Sequence, residues 1–167
     1  MGALRFRRLN RKRNLLVPKI DIAAAPSRFG TGYPPPFDAQ CQGRQRWMLG
    51  DAVGLSQFGV NLLRLPPGQW SSQRHWHSAE DEFVQVLEGE VVLVTEAGEE
   101  ILRAGDCAGF PAGVADGHHL QNRSDREAVL LEVGSRRPEY DACAYPDIDM
   151  AAPAGLDGYV HKDGTPY

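Results

Sequence analysis

The sequence predicts an all-β domain, and three observations support this class. From Phe58 onward, short runs of Val, Leu and Phe recur roughly every eight to twelve residues. Gly, Pro, Asp or Ser bounds each run, as expected of strands joined by turns. No segment shows convincing helical periodicity. This pattern is typical of a β-barrel or a β-sandwich.

The predicted strands alternate with recognisable turns. Ala97 and Gly98 are predicted to close a hairpin, and the Pro/Gly segments 66–68 and 111–113 each to end one strand and begin another. The predicted strands cover residues 58–65, 82–87, 90–95, 100–102, 106–110, 118–122 and 127–133.

The chain length of 167 residues fits a single domain with its own core. We expect residues 58–136 to form the barrel core. Residues 1–57 are interpreted as a basic tail and an extended N-terminal arm, because residues 24–38 are rich in Pro, Gly and Ala. Residues 137–167, again rich in Pro and Gly, are expected to wrap the barrel or a partner subunit.

The composition excludes several classes of protein. No apolar stretch approaches the ~18 residues of a membrane span. Cys41, Cys107 and Cys143 are scattered, which fits neither a disulfide framework nor a zinc ribbon and indicates a reducing, cytoplasmic setting. Cys107 lies in a predicted buried strand, so we interpret it as a small hydrophobe rather than a nucleophile.

The first fourteen residues are strongly basic, although the net charge of the chain is -4. A basic arm could contact nucleic acid, but no aromatic residues or binding motif accompany it. We therefore interpret it as a solvated, disordered tail or the product of a start codon assigned too far upstream, and expect no nucleic-acid partner. The apolar run that follows is too short for a secretory signal. The basic residues are Arg5, Arg7, Arg8, Arg11, Lys12 and Arg13.

Two histidines stand two positions apart, at His75 and His77. Alternate residues of a strand project to the same face, so both imidazoles can approach one ion while Trp76 points the other way. A turn of four residues then brings Glu82 back from the next strand as an oxygen ligand.

Glu82 shares its face of the predicted strand with Val84 and Val86. A carboxylate in line with two buried valines is unfavourable in a barrel interior unless a cation neutralises it. The pattern therefore predicts a metal ion at Glu82. Glu80 would replace Glu82 if the preceding turn were tighter.

A third imidazole comes from the adjacent pair His118 and His119, of which only one can face inward. Leu120 is the apolar residue of this strand, so the inward face should carry His118, Leu120 and Asn122. We predict that His118 is the ligand and that His119 points outward or into a loop, with His119 as the alternative ligand.

The first of these segments resembles the first motif of the cupin superfamily, Gly-x5-His-x-His-x3,4-Glu-x6-Gly. The match runs from His75 through Glu82 to Gly89, while six residues rather than five separate Gly68 from His75.

The second segment resembles the second cupin motif, Gly-x5-Pro-x-Gly-x2-His-x3-Asn. Four residues rather than two precede its histidine, and Asp116 stands where the shorter spacing would put it. The insertion of two residues preserves strand parity. The matching residues are Gly105, Pro111, Gly113, His118 and Asn122.

The resemblance covers residues 58–135 and implies a small single-domain cupin of the cupin-2 type. The implied fold is a double-stranded β-helix, or jelly-roll barrel, of about six to eight strands, with a metal ion inside one mouth. It also supports a homodimer, which would cover exposed barrel edges and the N-terminal arm.

Three imidazoles and one carboxylate leave one or two positions open on a six-coordinate ion, which suits Fe, Mn, Co or Ni, with Zn in a less regular arrangement. Iron would permit a dioxygenase, and Mn or Zn would permit isomerase, decarboxylase or hydrolase chemistry on a small polar molecule. The alternative is a non-catalytic module that binds a sugar or a small organic acid. The sequence identifies no dedicated acid or base beyond the ligands. Those polar strand residues that face the cavity are candidates for orienting a substrate, and solvent-facing alternation explains the same residues equally well: Arg64, Gln73, Gln85 and Asn122.

Overall fold

The structure is a computed structural model that describes residues 19–167. The predicted basic tail lies outside the described residues. Within the described range, no helix has the length and apolar character that crossing a membrane requires.

Residues 19–167 form twelve strands, one single-turn α-helix and two short 3₁₀ helices, at Ile22–Ala24 and Ala39–Cys41. The helix is α1 (Leu49–Ala52). The strands are β1 (Ser27–Phe29), β2 (Gln45–Met48), β3 (Phe58–Leu65), β4 (Trp76–His77), β5 (Glu82–Glu88), β6 (Glu90–Thr95), β7 (Gly98–Arg103), β8 (Cys107–Phe110), β9 (His119–Gln121), β10 (Ala128–Ser135), β11 (Cys143–Tyr145) and β12 (Met150–Ala152). The all-β prediction is confirmed.

Two antiparallel layers build the barrel. One is a six-stranded sheet in the order β1-β2-β3-β10-β5-β8. The other combines two three-stranded sheets, β12-β11-β4 and β7-β6-β9. A bridge between His75 and His118 joins these two smaller sheets. The candidate metal ligands therefore lie at the seam between them.

The inward face of the large sheet changes from apolar to polar along its strands. Leu63 pairs with Leu130 in β10, and Leu130 pairs with Val86 in β5, all three fully buried. Two residues further along, Glu132 takes the place of Leu130. In the next inward layer Gly134 pairs with Glu82, and the glycine has no side chain to occupy the barrel interior there. The polar end of this gradient forms the mouth of the barrel.

The N-terminal and C-terminal segments pack on each other in a second apolar cluster. Tyr33 and Cys41 from the first segment contact Cys143, Tyr145 and Met150 from the second. Strands β1 and β2 extend the large sheet, since β2 pairs with β3, and β11 pairs with β4, which contains His77. Both segments are thus held against the mouth.

Each of the seven predicted strands corresponds to an observed one, β3 and β5 to β10. The prediction that Cys107 is buried is wrong: Cys107 is exposed. Cys107 begins β8, the edge strand of the large sheet, and projects outward, whereas Ala108 and Phe110 pack against the core. Strand β4 covers two of the three residues, His75 to His77, for which the sequence predicts strand parity. Strands β1, β2, β11 and β12 are too short to show alternation and are not predicted from the sequence.

Candidate metal centre

Backbone pairing at the seam brings the two histidine segments together. The His75 amide donates to the His118 carbonyl at 3.1 Å, and the His118 amide donates back to the His75 carbonyl at 2.8 Å. His77 follows in β4, on the same side as His75, and Glu82 begins β5 after the intervening turn. The side chains of His75 and His77 thus share a face, as strand parity predicts, and all four side chains lie close to one another.

Three imidazoles surround one carboxylate oxygen. Glu82 Oε2 lies 2.8 Å from His118 Nε2 and 3.6 Å from the Nε2 atoms of both His75 and His77. The ligand atoms of His75, Glu82 and His118 lie within 4.8 Å of one another, a group that could hold a metal ion. The four residues predicted from the sequence therefore form one cluster.

The Nδ1 atoms of His75 and His77 fit a metal-binding role, whereas His118 Nδ1 is buried without a hydrogen-bond partner in the described residues. His75 Nδ1 lies 2.9 Å from the Gln73 carbonyl oxygen, and His77 Nδ1 lies 2.5 Å from Asp141 Oδ2. These acceptors favour the tautomer that carries its proton on Nδ1 and leaves the Nε2 lone pair toward Glu82. Three nitrogen donors and one carboxylate suit a divalent first-row transition metal.

Aromatic stacking and burial complete the setting of the cluster. Phe110 stacks on His118 with ring centroids 3.5 Å apart, and Tyr145 stacks on His75 at 5.8 Å. Burial lowers the pKa of His118, which favours the neutral imidazole that ligates a metal. Burial raises the pKa of Glu82, but the hydrogen bond with His118 and the nearness of His75 outweigh it and hold the pKa well below its usual value.

Of the two alternative ligands, His119 lies outside the cluster, whereas Glu80 lies beside it, with a carboxylate oxygen within 4.8 Å of the ligand atoms of His77 and Asp141. His119 is buried rather than pointing outward as predicted, because Trp70 packs edge-on against its ring at 4.7 Å and the Ser72 carbonyl lies 3.1 Å from its Nδ1. Its Nε2 lies 2.8 Å from Gln121 Nε2, away from the cluster. The Glu80 carboxylate accepts a hydrogen bond from the backbone amide of Arg137.

Asp141 is a site residue that the sequence analysis missed. One carboxylate oxygen contacts His77 Nδ1, and the other accepts backbone hydrogen bonds from Ala79 at 2.8 Å and Glu80 at 3.1 Å. It thereby orients His77 and anchors the turn that leads to Glu82. Asp141 lies 64 positions beyond His77 in an irregular segment, so no local pattern signals it.

Replacement of Asp141 by Asn should weaken metal affinity by about 10- to 100-fold, the usual effect of losing a carboxylate behind a ligating histidine. Asp149→Asn is a matched control, because Asp149 Oδ2 contacts His161 Nδ1 at 2.9 Å outside the cluster. Competition with a chromophoric chelator measures both affinities. Equal affinity in the two variants would contradict a role for Asp141 in orienting His77.

A polar cavity of about 360 Å³ adjoins the cluster and occupies the mouth of the barrel. His75, Glu82 and His118 line it together with Glu132 and Arg46. Arg46 and Glu132 form a two-bonded ion pair, with distances of 2.7 and 2.9 Å. The parity argument that singled out Glu82 among valines could also have found Glu132, which stands in the inward row of Ala128 and Leu130.

The sequence-predicted substrate-orienting residues do not line this cavity. Asn122 donates to the carbonyls of Leu65 and Arg126, both at 2.7 Å, and so holds a turn. Gln73 donates to the Phe37 carbonyl at 2.6 Å. Arg64 lies 5.6 Å from the Trp47 ring, and Gln85 lies in β5 opposite Cys107, on the outer face. Those four residues have structural contacts instead.

Comparison with known proteins connects this geometry to one family. The cupin domain model matches residues 61–134. A crystal structure from Silicibacter pomeroyi, described as a sugar phosphate isomerase of the cupin superfamily, is 47% identical, covers 90% of this chain and 96% of its own, and has a TM-score of 0.83. No curated protein is significantly similar to the chain.

Two further solved structures share the fold. A protein of Acidithiobacillus ferrooxidans, provisionally assigned as a sugar phosphate isomerase, is 31% identical over 75% of this chain and 80% of its own, with a TM-score of 0.66. The polyketide cyclase RemF of Streptomyces resistomycificus is 19% identical over 74% of this chain and 82% of its own, with a TM-score of 0.60, and shows the fold alone. The double-stranded β-helix prediction is thus confirmed, and the chain belongs to the cupin superfamily, with a domain of the cupin-2 type.

Proposed function

We propose that this cupin is a metal-dependent isomerase of a small sugar phosphate. One observation carries the proposal: the cluster of His75, Glu82 and His118 and the Glu132–Arg46 pair line a single cavity. The relative from Silicibacter pomeroyi, described as a sugar phosphate isomerase, supports the choice of reaction. A cavity of about 360 Å³ also lies within the usual range of small-molecule sites.

His75, His77, Glu82 and His118 would hold the metal ion. When bound, a divalent ion supplies Lewis-acid polarisation of a carbonyl oxygen and an adjacent hydroxyl. The donor set that the four residues provide fits that role, since it leaves coordination positions for substrate oxygens.

Glu132 is the group best placed to move the proton that isomerisation requires. It lies on β10 opposite Val84, two residues along β5 from Glu82. In the proposed step its carboxylate removes the proton from the hydroxyl-bearing carbon beside the carbonyl, and the electron pair of that C–H bond forms a double bond to the carbonyl carbon. The hydroxyl proton passes to the carbonyl oxygen, the Glu132 carboxyl returns its proton to the former carbonyl carbon, and the second oxygen becomes the new carbonyl. No oxidant or reductant is consumed.

Arg46 sets the orientation of the Glu132 carboxylate by donating two hydrogen bonds to it. Burial lowers the pKa of Arg46, but the Glu132 carboxylate raises it by more, so the net shift is upward. The side chains are only 27% and 20% exposed, which limits solvent screening of the pair. Asn61 pairs with Glu132 across β3 and lines the same cavity, where its amide can bind a substrate hydroxyl.

The test is proton exchange in deuterated buffer. Protein stripped with chelator is reloaded separately with Mn, Fe, Co, Ni or Zn and incubated with aldose and ketose phosphates of four to six carbons under anaerobic conditions. We expect metal-dependent isomer formation with deuterium incorporated beside the carbonyl, observed by proton NMR. Binding of these sugars without isomer or deuterium incorporation would contradict an isomerase and favour a non-catalytic sugar-binding protein.

We also propose a cytoplasmic homodimer. Strand β1 lies at the edge of the large sheet, and Phe29 on it is 70% exposed, which supports pairing with a second subunit. The free thiols of Cys41, Cys107 and Cys143 support a reducing compartment.

A further inference from the structure

Arg44 is a buried cation that has no anionic partner among residues 19–167. The residue is 6% exposed, Nε donates to the Gly30 carbonyl at 3.2 Å, and Nη2 donates to Thr31 Oγ1 at 3.2 Å. Nη1 is buried and has no hydrogen-bond partner within residues 19–167. Across the same residues, no carboxylate lies within 4.0 Å of its guanidinium. A buried guanidinium normally has a carboxylate or phosphate beside it.

A second unpaired arginine lies close to Arg44. Arg28 lines the same cavity, and no acidic side chain in the described part of the chain forms an ion pair with it. Gly32 leaves room for its guanidinium, since a Cβ there would clash with Arg28 Nη2. Burial raises the pKa of Tyr159, while the charges of Arg28 and Arg44 oppose that rise, which places both cations near one phenol.

Two tyrosine rings connect Arg44 to the imidazole cluster. Tyr145 stacks on His75 at 5.8 Å, Tyr33 packs edge-on against Tyr145 at 5.8 Å, and the Arg44 guanidinium lies 5.8 Å from the Tyr33 ring. Two tyrosine rings thus separate the cation from His75. A sugar phosphate likewise carries its phosphate several bonds from its carbonyl.

We propose that Arg44, Arg28 and Thr31 form the subsite that binds the phosphate group of the substrate. This inference rests on the proposed function and assigns the anionic end of the sugar to residues outside the segment 61–134 that matches the cupin domain model. The guanidinium of Arg28 donates hydrogen bonds to phosphate oxygens, and Arg44, which lines the same cavity and has a buried Nη1 without a partner in the described residues, supplies a second positive charge beside it. Thr31 contributes its hydroxyl, which also lines the cavity.

Binding of inorganic phosphate tests the subsite without requiring turnover. We expect the dissociation constant, measured by calorimetry on the metal-loaded full chain, to rise about 10- to 100-fold in Arg44→Gln and in Arg28→Gln. Arg103→Gln is the matched control, because Arg103 is 63% exposed and pairs with Glu90 on β6. Ribose 5-phosphate should lose affinity in the same two variants, whereas ribose should not.

Two outcomes would overturn the subsite. One is unchanged phosphate affinity in Arg28→Gln, a substitution of an exposed side chain that decides the question even if Arg44→Gln fails to fold. The other is loss of phosphate binding in His118→Ala alone, which would place the phosphate on the metal ion.

The two experiments distinguish failure of the phosphate subsite from failure of the proposed isomerase activity. If the protein isomerises a sugar phosphate but its affinity for phosphate is unchanged in Arg28→Gln and Arg44→Gln, the subsite is wrong and the proposed function remains. Arginine-dependent phosphate binding without isomerisation of any sugar phosphate would retain the subsite and overturn the isomerase.

Discussion

Replacement of His118 by Ala is expected to abolish stoichiometric metal binding. His118 Nε2 is the imidazole nitrogen nearest Glu82 Oε2, at 2.8 Å, and its ring is fixed by stacking on Phe110. Removal of a hydrogen-bond partner behind a ligand reduces metal affinity by about 10- to 100-fold. Loss of a direct ligand should reduce metal affinity by more than that. Elemental analysis of untagged protein and titration of apoprotein with Mn, Fe or Zn measure the change.

Two other histidines serve as controls for this result. His119→Ala removes the adjacent imidazole, which contacts Ser72 and Gln121 instead of the cluster, and His161→Ala removes one that contacts Asp149. Both should retain metal at the wild-type ratio. Loss of metal in His119→Ala with retention in His118→Ala would reverse our choice of ligand, and wild-type protein that binds none of these metals would overturn the centre itself.

The second large effect is expected at Glu132. Glu132→Gln preserves the shape of the side chain but removes the basic carboxylate, so kcat should fall by about 10²- to 10⁴-fold if Glu132 carries the proton. The KM for the sugar phosphate and the metal content should change little, because Glu132 is not among the four clustered ligands. Steady-state kinetics, deuterium exchange and elemental analysis are measured on the same preparation.

Glu99→Gln provides the matched control, since Glu99 also forms a two-bonded pair with an arginine, Arg123, but is 51% exposed outside the mouth. It should retain wild-type kcat. A thermal midpoint is needed beside the kinetics, because Glu132→Gln leaves the Arg46 charge without its partner in a partly buried site. If kcat of Glu132→Gln remains within a factor of two, the pair is structural and the proton carrier is another group.

One physical reason explains why the sequence pointed to the four clustered side chains but not to the other polar residues of the cavity. His75, His77 and Glu82 occur within eight residues, and strand parity alone determines which of their side chains share a face. Glu132 is also a carboxylate in an inward-facing apolar row, so strand parity could have identified it. No histidine lies near it in the sequence, so no metal-binding motif includes it. Its significance emerges only beside Arg46, 86 positions away.

The N-terminal and C-terminal segments illustrate what local patterns miss. Their Pro- and Gly-rich composition predicts extended chain, yet Asp141 behind His77, Tyr145 on His75 and Arg44 beyond Tyr33 all come from them. The contacts of Asp141 and Tyr145 join residues far apart in sequence, and a single side chain in an irregular segment carries no periodicity that would indicate its partner.

By itself, the sequence determined the all-β class, the cupin resemblance and the four side chains of the cluster, because alternation and motif spacing are local properties of strands. Parity with Leu120 also favoured His118 over His119 in the sequence, and the tertiary structure added the backbone pairing with His75 that brings His118 beside Glu82. Tertiary structure alone decided that Asp141 lies behind His77. It also decided the polar cavity and its arginines, which exist only where the two terminal segments close over the barrel mouth.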